Sequence, residues 1–553
     1  MRRYVYLLLG CCALLSIGCD DNNKTPDVDK EPVETPPAEE PTDTTDVTPD
    51  VPVITWETAR EAVDNMQIGW NLGNTLDAHE YGKGEPDNWR KWETYWGQPV
   101  TTRELIQMMK KAGFNAIRVP VTWYLHMDET GKVYNAWMNR VREIVDYVID
   151  ADMYCIVNVH HDTGDGEKVW LLADMEVYNR EKAKYEYLWT QIAETFKDYD
   201  HRLLFESYNE MLDSRRSWCF SSFVGGYDAE YANNAYKAIN CYAQSFVNAV
   251  RSTGGNNAVR NLVVNTYGAC CGLGTWNSHL TDPITAMALP ADNVMNHLIV
   301  EIHSYIDVKD INNAKSDVDE VVDKVDTHLA KRLGVPVIFG EWGSVSSDDE
   351  SDYYVRRDNL IEYYEYFVTK NKERGIGTFL WMGLSDGIYR SIPVFSEPES
   401  AEAILKAYHG ASYEPQLSLI EDYELSYNIV YNSIWSEAHL IEHSIDLDVY
   451  KAIRIEMSDV SNNGTLQMKG YLDNESGEYY FGEIGQNGST ITFDKEKLGN
   501  KIKSLTLQCF SDNTVEVSNV KSTLIKHDGT EEEMTIKVFW GCDVVLDVKS
   551  RKE

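Results

Sequence analysis

Two short apolar runs of this chain end in a glutamate, and the two glutamates together could perform acid–base chemistry. The first run is LLFESYNEML, which reaches Glu210 near its end, and the second is PVIFGEWG, which reaches Glu341. When two carboxylates share a cleft, burial and like-charge repulsion push their pKa values apart, so that one can act as an acid while the other stays ionised. This chemistry requires a fold that brings the ends of both runs together.

From about residue 55 to residue 412 the chain alternates short β-rich runs with helical stretches. Several runs are continuously apolar, as in parallel strands that are buried on both faces. The runs occupy residues 67–74, 116–123, 154–161, 203–210, 261–269, 298–305, 336–343 and 378–386. Eight strand–helix units over roughly 350 residues predict an α/β fold, a (β/α)8 TIM barrel. An open doubly wound sheet is the alternative, which the lack of a Gly-rich phosphate loop after any strand disfavours.

One predicted helix, in TTRELIQMMKKAGF, has boundary signals at both ends. Thr101 and Glu104 have the spacing of a capping box, and Gly113 can stop the helix in a left-handed conformation. We therefore expect this helix to be capped by Thr101.

Residues 413–553 have a different pattern, in which apolar and polar residues alternate with period two between Asn, Gly and Asp turns. This pattern predicts a C-terminal all-β sandwich, similar to the jelly-roll modules attached to glycanases. A carbohydrate-binding module is the first interpretation and an inert packing domain the second. Four aromatic residues are candidate sugar platforms: Trp435, Tyr479, Tyr480 and Trp540.

The active site of a TIM barrel lies at the carboxyl ends of its strands. The polar and aromatic residues expected at those ends, in chain order, are Arg118, His160, His161, Asn209, Glu210, His303, Tyr305, Glu341 and Trp381.

Two carboxylates in one cleft suit the cleavage of a glycosidic bond, in which one protonates the leaving oxygen and the other attacks the anomeric carbon. Arg118 would keep the nucleophile ionised, and Asn209 could hydrogen-bond the sugar 2-hydroxyl. His303 and Tyr305 could orient the carboxylates. Trp381 offers a flat face to a sugar ring.

Seven motifs resemble glycoside hydrolase family 5 in order and spacing: IGWNLGNTLDA, ETYWGQPVTT, FNAIRVPVTW, VNVHHD, FESYNE, EIHSY and GEWG. The first two look like subfamily 4, the endo-β-1,4-glucanase and xyloglucanase branch. The resemblance covers about residues 55–410. It implies that Glu210 is the acid/base and Glu341 the nucleophile of a retaining enzyme that uses no metal or other cofactor. It also implies a substrate-contacting role for the other seven strand-end residues.

The chain departs from the family pattern after the acid/base. Met211 replaces the usual proline, and residues 211–230 form an unusual insertion that could alter the subsites or block one end of the cleft.

Several other polar and aromatic residues lie near the predicted site, and most of them are expected to have structural roles. Glu206 and Glu301 lie lower on the strands that carry functional residues, so we expect them to pair with arginine or backbone groups. Asn71 and Asn74 are expected to shape a loop, with a substrate contact as the alternative. Trp89, Trp92 and Trp96 could line the cleft or pack beneath the first loop.

The N-terminus reads as an export signal followed by a tether. Residues 1–19 have a basic start, a short apolar core and Cys19, and they resemble a bacterial lipoprotein signal in which Cys19 is lipidated. Residues 20–54 are acidic and rich in Pro and Thr, which is typical of a disordered linker. We expect a cell-surface lipoprotein in the outer membrane of a Gram-negative bacterium, held by the lipid anchor alone. Plain secretion is the alternative.

The formal net charge of −38 argues against a nucleic-acid partner, because binding a polyanion requires clustered basic residues. The sequence thus predicts a monomeric endo-glycosidase that acts on β-1,4-linked glucan polysaccharides such as cellulose-like glucan, xyloglucan or mixed-linkage glucan. The alternatives are an endo-β-mannanase, an exo-acting β-glycosidase, or a surface glycan-binding lipoprotein without activity.

Overall fold

A computed structural model describes residues 56–79, 88–166, 168–218, 227–273, 278–345, 353–392, 394–420, 423–441, 445–461, 465–472, 478–484 and 489–550. The predicted signal, Cys19 and linker lie outside these residues, as does the middle of the 211–230 insertion. No helix in the described part of the chain combines the length and the apolar composition needed to cross a bilayer.

Eight parallel strands close into a barrel in sequence order, which confirms the predicted TIM-barrel fold. The strands are β1 (Ile68–Asn71), β2 (Ala116–Val119), β3 (Tyr154–Asn158), β4 (Leu203–Glu206), β5 (Leu262–Cys270), β6 (Leu298–Ile306), β7 (Val337–Ser344) and β8 (Gly377–Leu380). Their side chains are almost all buried, as the continuous apolar runs predicted.

Most helices cover the outside of the barrel and pack their apolar faces on the strands, while α1 packs in a separate cluster of strand residues and α10 packs against the sandwich. They are α1 (Ala59–Met66), α2 (Trp89–Glu93), α3 (Arg103–Ala112), α4 (Asn135–Asp150), α5 (Met175–Phe196), α6 (Ala229–Ser252), α7 (Asp282–Ala286), α8 (Ile311–Val325), α9 (Tyr353–Glu373), α10 (Ile388–Ser391) and α11 (Pro398–His409). The long amphipathic helices α4, α5, α6 and α8 place valine, leucine and aromatic rows against the barrel.

The capping prediction for α3 was wrong by one residue. Thr102 is the N-cap, and its side chain accepts a hydrogen bond from the backbone N–H of Leu105. Thr101 is instead buried and donates its backbone N–H to the Glu93 carboxylate, which Arg140 clamps from α4. The helix starts one residue later than predicted, and Thr101 contacts the Glu93–Arg140 ion pair instead. The stop at Gly113, with φ of 125°, agrees with the prediction.

Two antiparallel sheets follow the barrel and confirm the predicted β-sandwich. The strands are β9 (Tyr423–Tyr431), β10 (Glu437–Ile441), β11 (Ile445–Asp446), β12 (Tyr450–Val460), β13 (Leu466–Leu472), β14 (Glu478–Ile484), β15 (Ser489–Asp494), β16 (Lys501–Cys509), β17 (Val515–Lys526), β18 (Glu531–Met534), β19 (Phe539–Trp540) and β20 (Cys542–Ser550), with a short helix α12 (Lys495–Leu498). One sheet has the order β14-β13-β16-β10-β19 and the other β15-β12-β17-β9-β20.

The barrel is joined to the sandwich by a side chain that enters the sandwich core. Tyr389 of α10 is buried there, with its hydroxyl 2.6 Å from the Tyr427 hydroxyl and 2.8 Å from the Ile536 carbonyl oxygen that accepts from it. Thr535 also donates to the Ser396 carbonyl. These buried polar contacts fix the attachment of the second domain.

We predict that Tyr389→Phe lowers the free energy of unfolding by about 1–3 kcal/mol, because it removes the hydroxyl that donates to the buried Ile536 carbonyl and contacts the Tyr427 hydroxyl. Differential scanning calorimetry should show a lower Tm. Tyr187→Phe is the matched control, since Tyr187 is exposed on α5. Equal Tm values for both variants would contradict the importance of this contact.

Candidate active site

The carboxyl ends of the barrel strands carry a connected set of polar side chains. Strands β5, β6 and β7 are longer than the others. The pairing of β6 with β7 changes register between Ile302 and His303, so that His303 comes opposite Glu341. Such an irregularity re-aims side chains at a barrel rim, and here it places an imidazole beside a carboxylate.

Arg118 is the centre of this set, and it is fully buried on β2. Its Nε and Nη2 donate to both oxygens of Glu206 at 2.7 and 2.8 Å. Its remaining N–H groups bond to Asn71, Glu341 and Asn209 at 3.0, 2.8 and 2.8 Å. A guanidinium has five N–H donors, and all five are therefore satisfied.

The charge of Arg118 is balanced from two sides. Burial alone would lower its pKa, but Glu206 and Glu341 raise it well above the ordinary value. Burial likewise opposes ionisation of Glu206, yet the adjacent Arg118 lowers the pKa of that carboxyl below its ordinary value. Glu206 is thus a permanent counter-ion beneath the site, as the structural interpretation expected.

Glu341 is held at both carboxylate oxygens. Oε1 accepts from Arg118, and Oε2 accepts from the Tyr305 hydroxyl at 2.7 Å. Glu341 is only 4% exposed, whereas Tyr305 is 37% exposed at the mouth of the site. Burial of the hydroxyl and the nearby Glu341 and Glu210 raise the pKa of Tyr305 well above its ordinary value, so this phenol stays a hydrogen-bond donor.

Glu210 occupies a more open position and has a different partner. Its Oε1 lies 2.7 Å from Nδ1 of His303, and its side chain is 23% exposed compared with 5% for Glu341. The Nε2 of His303 lies 2.7 Å from Glu301. Burial alone would lower the pKa of His303, but Glu301, Glu341 and Glu210 raise it well above the ordinary value. His303 thus lies between Glu301 and Glu210, and both carboxyl groups favour its protonated form.

Glu210 and Glu341 come close together at the mouth of the barrel. A carboxylate oxygen of each and a ring nitrogen of His303 all lie within 4.8 Å of one another. This closeness of the two carboxylate oxygens is compatible with the carboxyl spacing of about 5–5.5 Å in retaining glycosidases.

Asn209 has its orientation fixed by Arg118. Because its Oδ1 accepts from Arg118, its Nδ2 is directed away from the guanidinium. Its side chain is 3% exposed, so the amide can donate to a group that enters the site.

His160 is a neutral side chain that lies between the carboxylates and an aromatic wall. Asn158 donates to its Nδ1 at 3.1 Å, and its Nε2 lies 3.9 Å from Glu341. Its burial and the nearby His161 lower the pKa of His160 well below the ordinary value. The Trp381 ring is parallel to the imidazole at a centroid distance of 5.7 Å.

His161 continues this wall away from the carboxylates. Burial lowers its pKa to about 3, and its ring contacts those of His79 and Trp96 at 4.7 and 5.4 Å. A cavity of about 310 Å³ opens here, lined by His79, Trp96, His161, Thr163, Asp165, Gly166 and Val169. A partly aromatic cleft suits a ligand with flat apolar faces.

All nine strand-end residues lie at one end of the barrel. Six of them form one hydrogen-bonded group, which consists of Arg118, Asn209, Glu210, His303, Tyr305 and Glu341. The adjoining wall consists of His160, His161 and Trp381. Of the three tryptophans weighed for the first loop, Trp92 is buried, while Trp96 lines the cleft.

The interpretation of Asn71 as a loop-shaping residue was wrong. It is buried on β1, where it accepts from Arg118 and donates to carbonyls of Gly340, Phe379 and Leu380. Asn158 is a site residue that the sequence prediction missed. It lies two residues before His160 and therefore on the same strand face, and this spacing could have identified it.

A parallel barrel with an arginine-bound glutamate and a histidine-bound glutamate at the carboxyl ends of its strands belongs to the class of glycoside hydrolases. The family model of cellulase, glycosyl hydrolase family 5, matches residues 78–386. This match covers more than half of the chain, and the chain therefore belongs to glycosyl hydrolase family 5.

Curated relatives agree with this assignment. The chain is 33% identical over 344 residues to Endoglucanase A of Clostridium longisporum, covering 60% of each protein. It is also 33% identical over 325 residues to Endoglucanase A of Ruminococcus albus, covering 56% of this chain and 80% of the relative. The match spans 41% of cellulase/esterase CelE of Acetivibrio thermocellus, so some relatives are much longer than the shared domain.

Solved structures extend the likeness to the fold. A broad-specificity endoglucanase of subfamily GH5-4 from an uncultured bacterium has a TM-score of 0.62 and 53% identity, covering 64% of this chain and 97% of that one. A family 5 enzyme from Prevotella bryantii, solved with a xyloglucan tetradecasaccharide, has a TM-score of 0.57 and 41% identity, covering 64% and 99%.

We predict that Glu206→Gln lowers the free energy of unfolding by about 3–5 kcal/mol at neutral pH, because it removes the main counter-ion of a buried guanidinium. The folded-state pKa of Glu206 is below its ordinary 4.5. Its stabilising effect is therefore present above pH 4.5 and is lost as the pH falls through the folded value, so the difference between variant and parent should shrink in acid.

Urea unfolding of both proteins between pH 3 and pH 7 measures this difference. Glu194→Gln is the control, since Glu194 is a half-exposed glutamate paired with Lys197 on the surface, and it should change stability by less than about 1 kcal/mol. A Glu206→Gln variant as stable as the control at neutral pH would contradict the counter-ion role.

Proposed function

We propose that this chain is a retaining endo-glycosidase that hydrolyses β-1,4-linked glucans by double displacement. The observation that carries the proposal is the pair Glu210 and Glu341, which lie within 4.8 Å of each other and have different partners. The Arg118 cation lies against Glu341, and the more exposed Glu210 contacts His303. Glu341 is thus held in one orientation, and the more open Glu210 is placed within reach of ligand and water.

In the first step, protonated Glu210 donates its proton to the glycosidic oxygen while Glu341 attacks the anomeric carbon. The bond from that carbon to the leaving oxygen breaks, and a glycosyl ester of Glu341 forms. Because Oε1 of Glu210 lies 2.7 Å from Nδ1 of His303, Oε2 is the oxygen left for the transferable proton. Arg118 and Tyr305 hold Glu341 in one orientation for the attack.

In the second step, ionised Glu210 takes a proton from a water molecule, whose oxygen attacks the anomeric carbon from the side that the first product left. The ester bond to Glu341 breaks, and the sugar leaves with its original configuration. Each carboxylate returns to its starting state, so no co-reactant other than water is consumed. Nδ2 of Asn209 is available for the sugar 2-hydroxyl, an interaction that strengthens at the transition state.

The relatives support a β-glucan substrate. Their names include several endoglucanases, and one solved relative is a family 5 lichenase from Caldicellulosiruptor sp. F32 in complex with cellotetraose. The neutral wall of His160, His161, Trp96 and Trp381 suits an uncharged chain. A panel of carboxymethylcellulose, barley β-glucan, xyloglucan, glucomannan and xylan tests the preference. Oligosaccharides released from a β-glucan are the expected result, whereas activity confined to glucomannan, or mono- and disaccharide products alone, would contradict it.

We predict that Glu341→Ala and Glu210→Ala each lower kcat by at least about 10³-fold with an unactivated β-glucan. Azide separates the two roles, since it can fill the space of either lost carboxylate. On an activated aryl β-cellobioside, azide should give the α-glycosyl azide with Glu341→Ala, by direct attack, and the β-glycosyl azide with Glu210→Ala, by attack on the ester.

Product configuration is read by proton NMR, and Glu194→Ala is the control that should match the parent enzyme. The opposite pairing of azide products would exchange the two roles. Full activity in either variant, or a parent protein that binds glucan without cleaving it, would contradict the proposal.

We also propose that the mature chain is a monomeric lipoprotein of the outer membrane, exposed at the cell surface through the acidic linker 20–54. The basic start, the short apolar core and Cys19 support this location, since they supply the parts of a lipoprotein signal.

We predict that the parent chain partitions into membranes and is cleaved by protease added to intact cells, whereas Cys19→Ser is released in soluble form. Fractionation of expressing cells measures both outcomes. Cys12→Ser is the matched control, because Cys12 lies inside the signal. Identical soluble fractions for the parent and Cys19→Ser would contradict the anchor.

A further inference from the structure

One sheet of the sandwich has an outer face that does not form part of the sandwich core. In the sheet β14-β13-β16-β10-β19, alternate residues such as Leu466, Met468, Leu505 and Leu507 are buried in the sandwich core. The residues between them point to the opposite face, because side chains alternate along a strand. That outer face, here called the sheet face, carries polar residues in its middle and aromatic residues at its borders.

A row of polar side chains crosses the middle of the sheet face. Glu437, Gln508 and Gln467 lie side by side on β10, β16 and β13. Gln467 donates to Gln508, and Gln508 donates to Glu437. Gln508 is only 5% exposed, so this is an ordered row of amide and carboxylate groups rather than a set of mobile surface side chains.

The next row compensates the charge of the first. Lys469 on β13 lies 2.7 Å from Glu437 and 2.9 Å from Glu478, and His439 lies 3.2 Å from Glu437. Thr506 lies between His439 and Lys469 in the strand pairing. The charges of the sheet face are therefore paired with one another, and the face presents hydrogen-bonding groups to a neutral partner.

Large aromatic side chains border these rows and are exposed. Trp540 pairs with Glu437 at the β19 edge and is 64% exposed, and Tyr480 pairs with Lys469 on β14 and is 50% exposed. At the end of β10 and β16, Trp435 and Phe510 contact each other at a ring distance of 5.1 Å and are 55% and 45% exposed. Exposed aromatic residues around a polar centre mark a binding surface more often than a solvent face.

The hydrogen bonds between the barrel and the sandwich involve other parts of the sandwich, and Trp540 and Tyr480 of the sheet face are exposed. Tyr389, Ser396 and Glu397 of the barrel contact Tyr427 on β9 and the segment 535–537. These contacts involve the core, the other sheet and the turn before β19. The sheet face therefore has room for a ligand while the two domains stay joined.

We propose that the sheet face binds a neutral β-linked glucan chain across the strands, at a site separate from the catalytic cleft. The flat apolar faces of β-linked pyranose rings can stack on Trp540 and Tyr480, while their equatorial hydroxyls meet the partly exposed side chains of Glu437 and His439. Four interstrand steps of about 4.8 Å separate the β19 and β14 edges, which gives a path of roughly 19 Å. This length holds several sugar residues.

Charge decides between a glucan and an acidic polymer. The formal net charge of −38 opposes an anionic polysaccharide, and Lys469 is already paired with two glutamates. A second copy of the chain is the competing occupant of an exposed aromatic surface, and the test below includes it.

The test uses the full chain with Glu341→Gln, which removes turnover, in affinity electrophoresis and calorimetry with xyloglucan, barley β-glucan and hydroxyethylcellulose. Added Trp540→Ala or Tyr480→Ala should weaken binding to at least one polymer by about 10-fold, because each removes the apolar ring surface that a sugar would cover. Polygalacturonate should not bind. The single variants in the active background should keep the parent kcat/KM on cellotetraose, which is too short to use both sites.

Tyr479→Ala is the matched control. Tyr479 neighbours Tyr480 but pairs with Gly470 on the buried side of β13, so its side chain leaves from the opposite face of β14. It should keep the parent affinity. Polymer binding that is unchanged in Trp540→Ala and Tyr480→Ala would overturn the proposal, as would a dimer that these variants dissociate without a loss of glucan affinity. Cellotetraose turnover by the parent tests the catalytic proposal separately, so either proposal can fail without the other.

Discussion

The site depends on one buried cation, Arg118, and on what it costs to keep it charged inside the barrel. A guanidinium without compensation would be strongly destabilising at that depth. Glu206 supplies a two-point ion pair from below, and Glu341 supplies a second carboxylate from the cleft side. Because Glu206 already balances Arg118 within the barrel, Glu341 can take part in a reaction without leaving the arginine unpaired.

The same arrangement separates the two candidate catalytic glutamates. Glu341 is enclosed by Arg118 and Tyr305, while Glu210 is more exposed and contacts a histidine. Glu301 lies 2.7 Å from His303 and favours its protonated form. Two carboxylates within 4.8 Å thus receive different environments from different strands, which is what a division of labour between acid and nucleophile requires.

The sequence allowed the barrel, the sandwich and the gathering of nine residues at one barrel end to be predicted, because apolar runs and strand ends are local signals. Contacts between residues that are far apart in the sequence could not be predicted in this way. Asn71 was assigned to a loop because its partner Arg118 is 47 residues away. The α3 cap shifted because Glu93 and Arg140 meet only in the folded barrel. Among the four candidate platforms, strand pairing placed Tyr480 and Trp540 on one face and Tyr479 on the other, which alternation alone could not do.

The role of Glu341 as nucleophile is tested most directly by mass spectrometry of the intact enzyme after incubation with an activated 2-deoxy-2-fluoro-β-cellobioside. The fluorine slows both steps, and the reactive leaving group keeps formation of the ester faster than its hydrolysis. We expect a mass increase of one fluorinated cellobiosyl unit, which peptide mapping should locate on Glu341. A label on Glu210, or unlabelled enzyme together with products of inverted configuration, would contradict it.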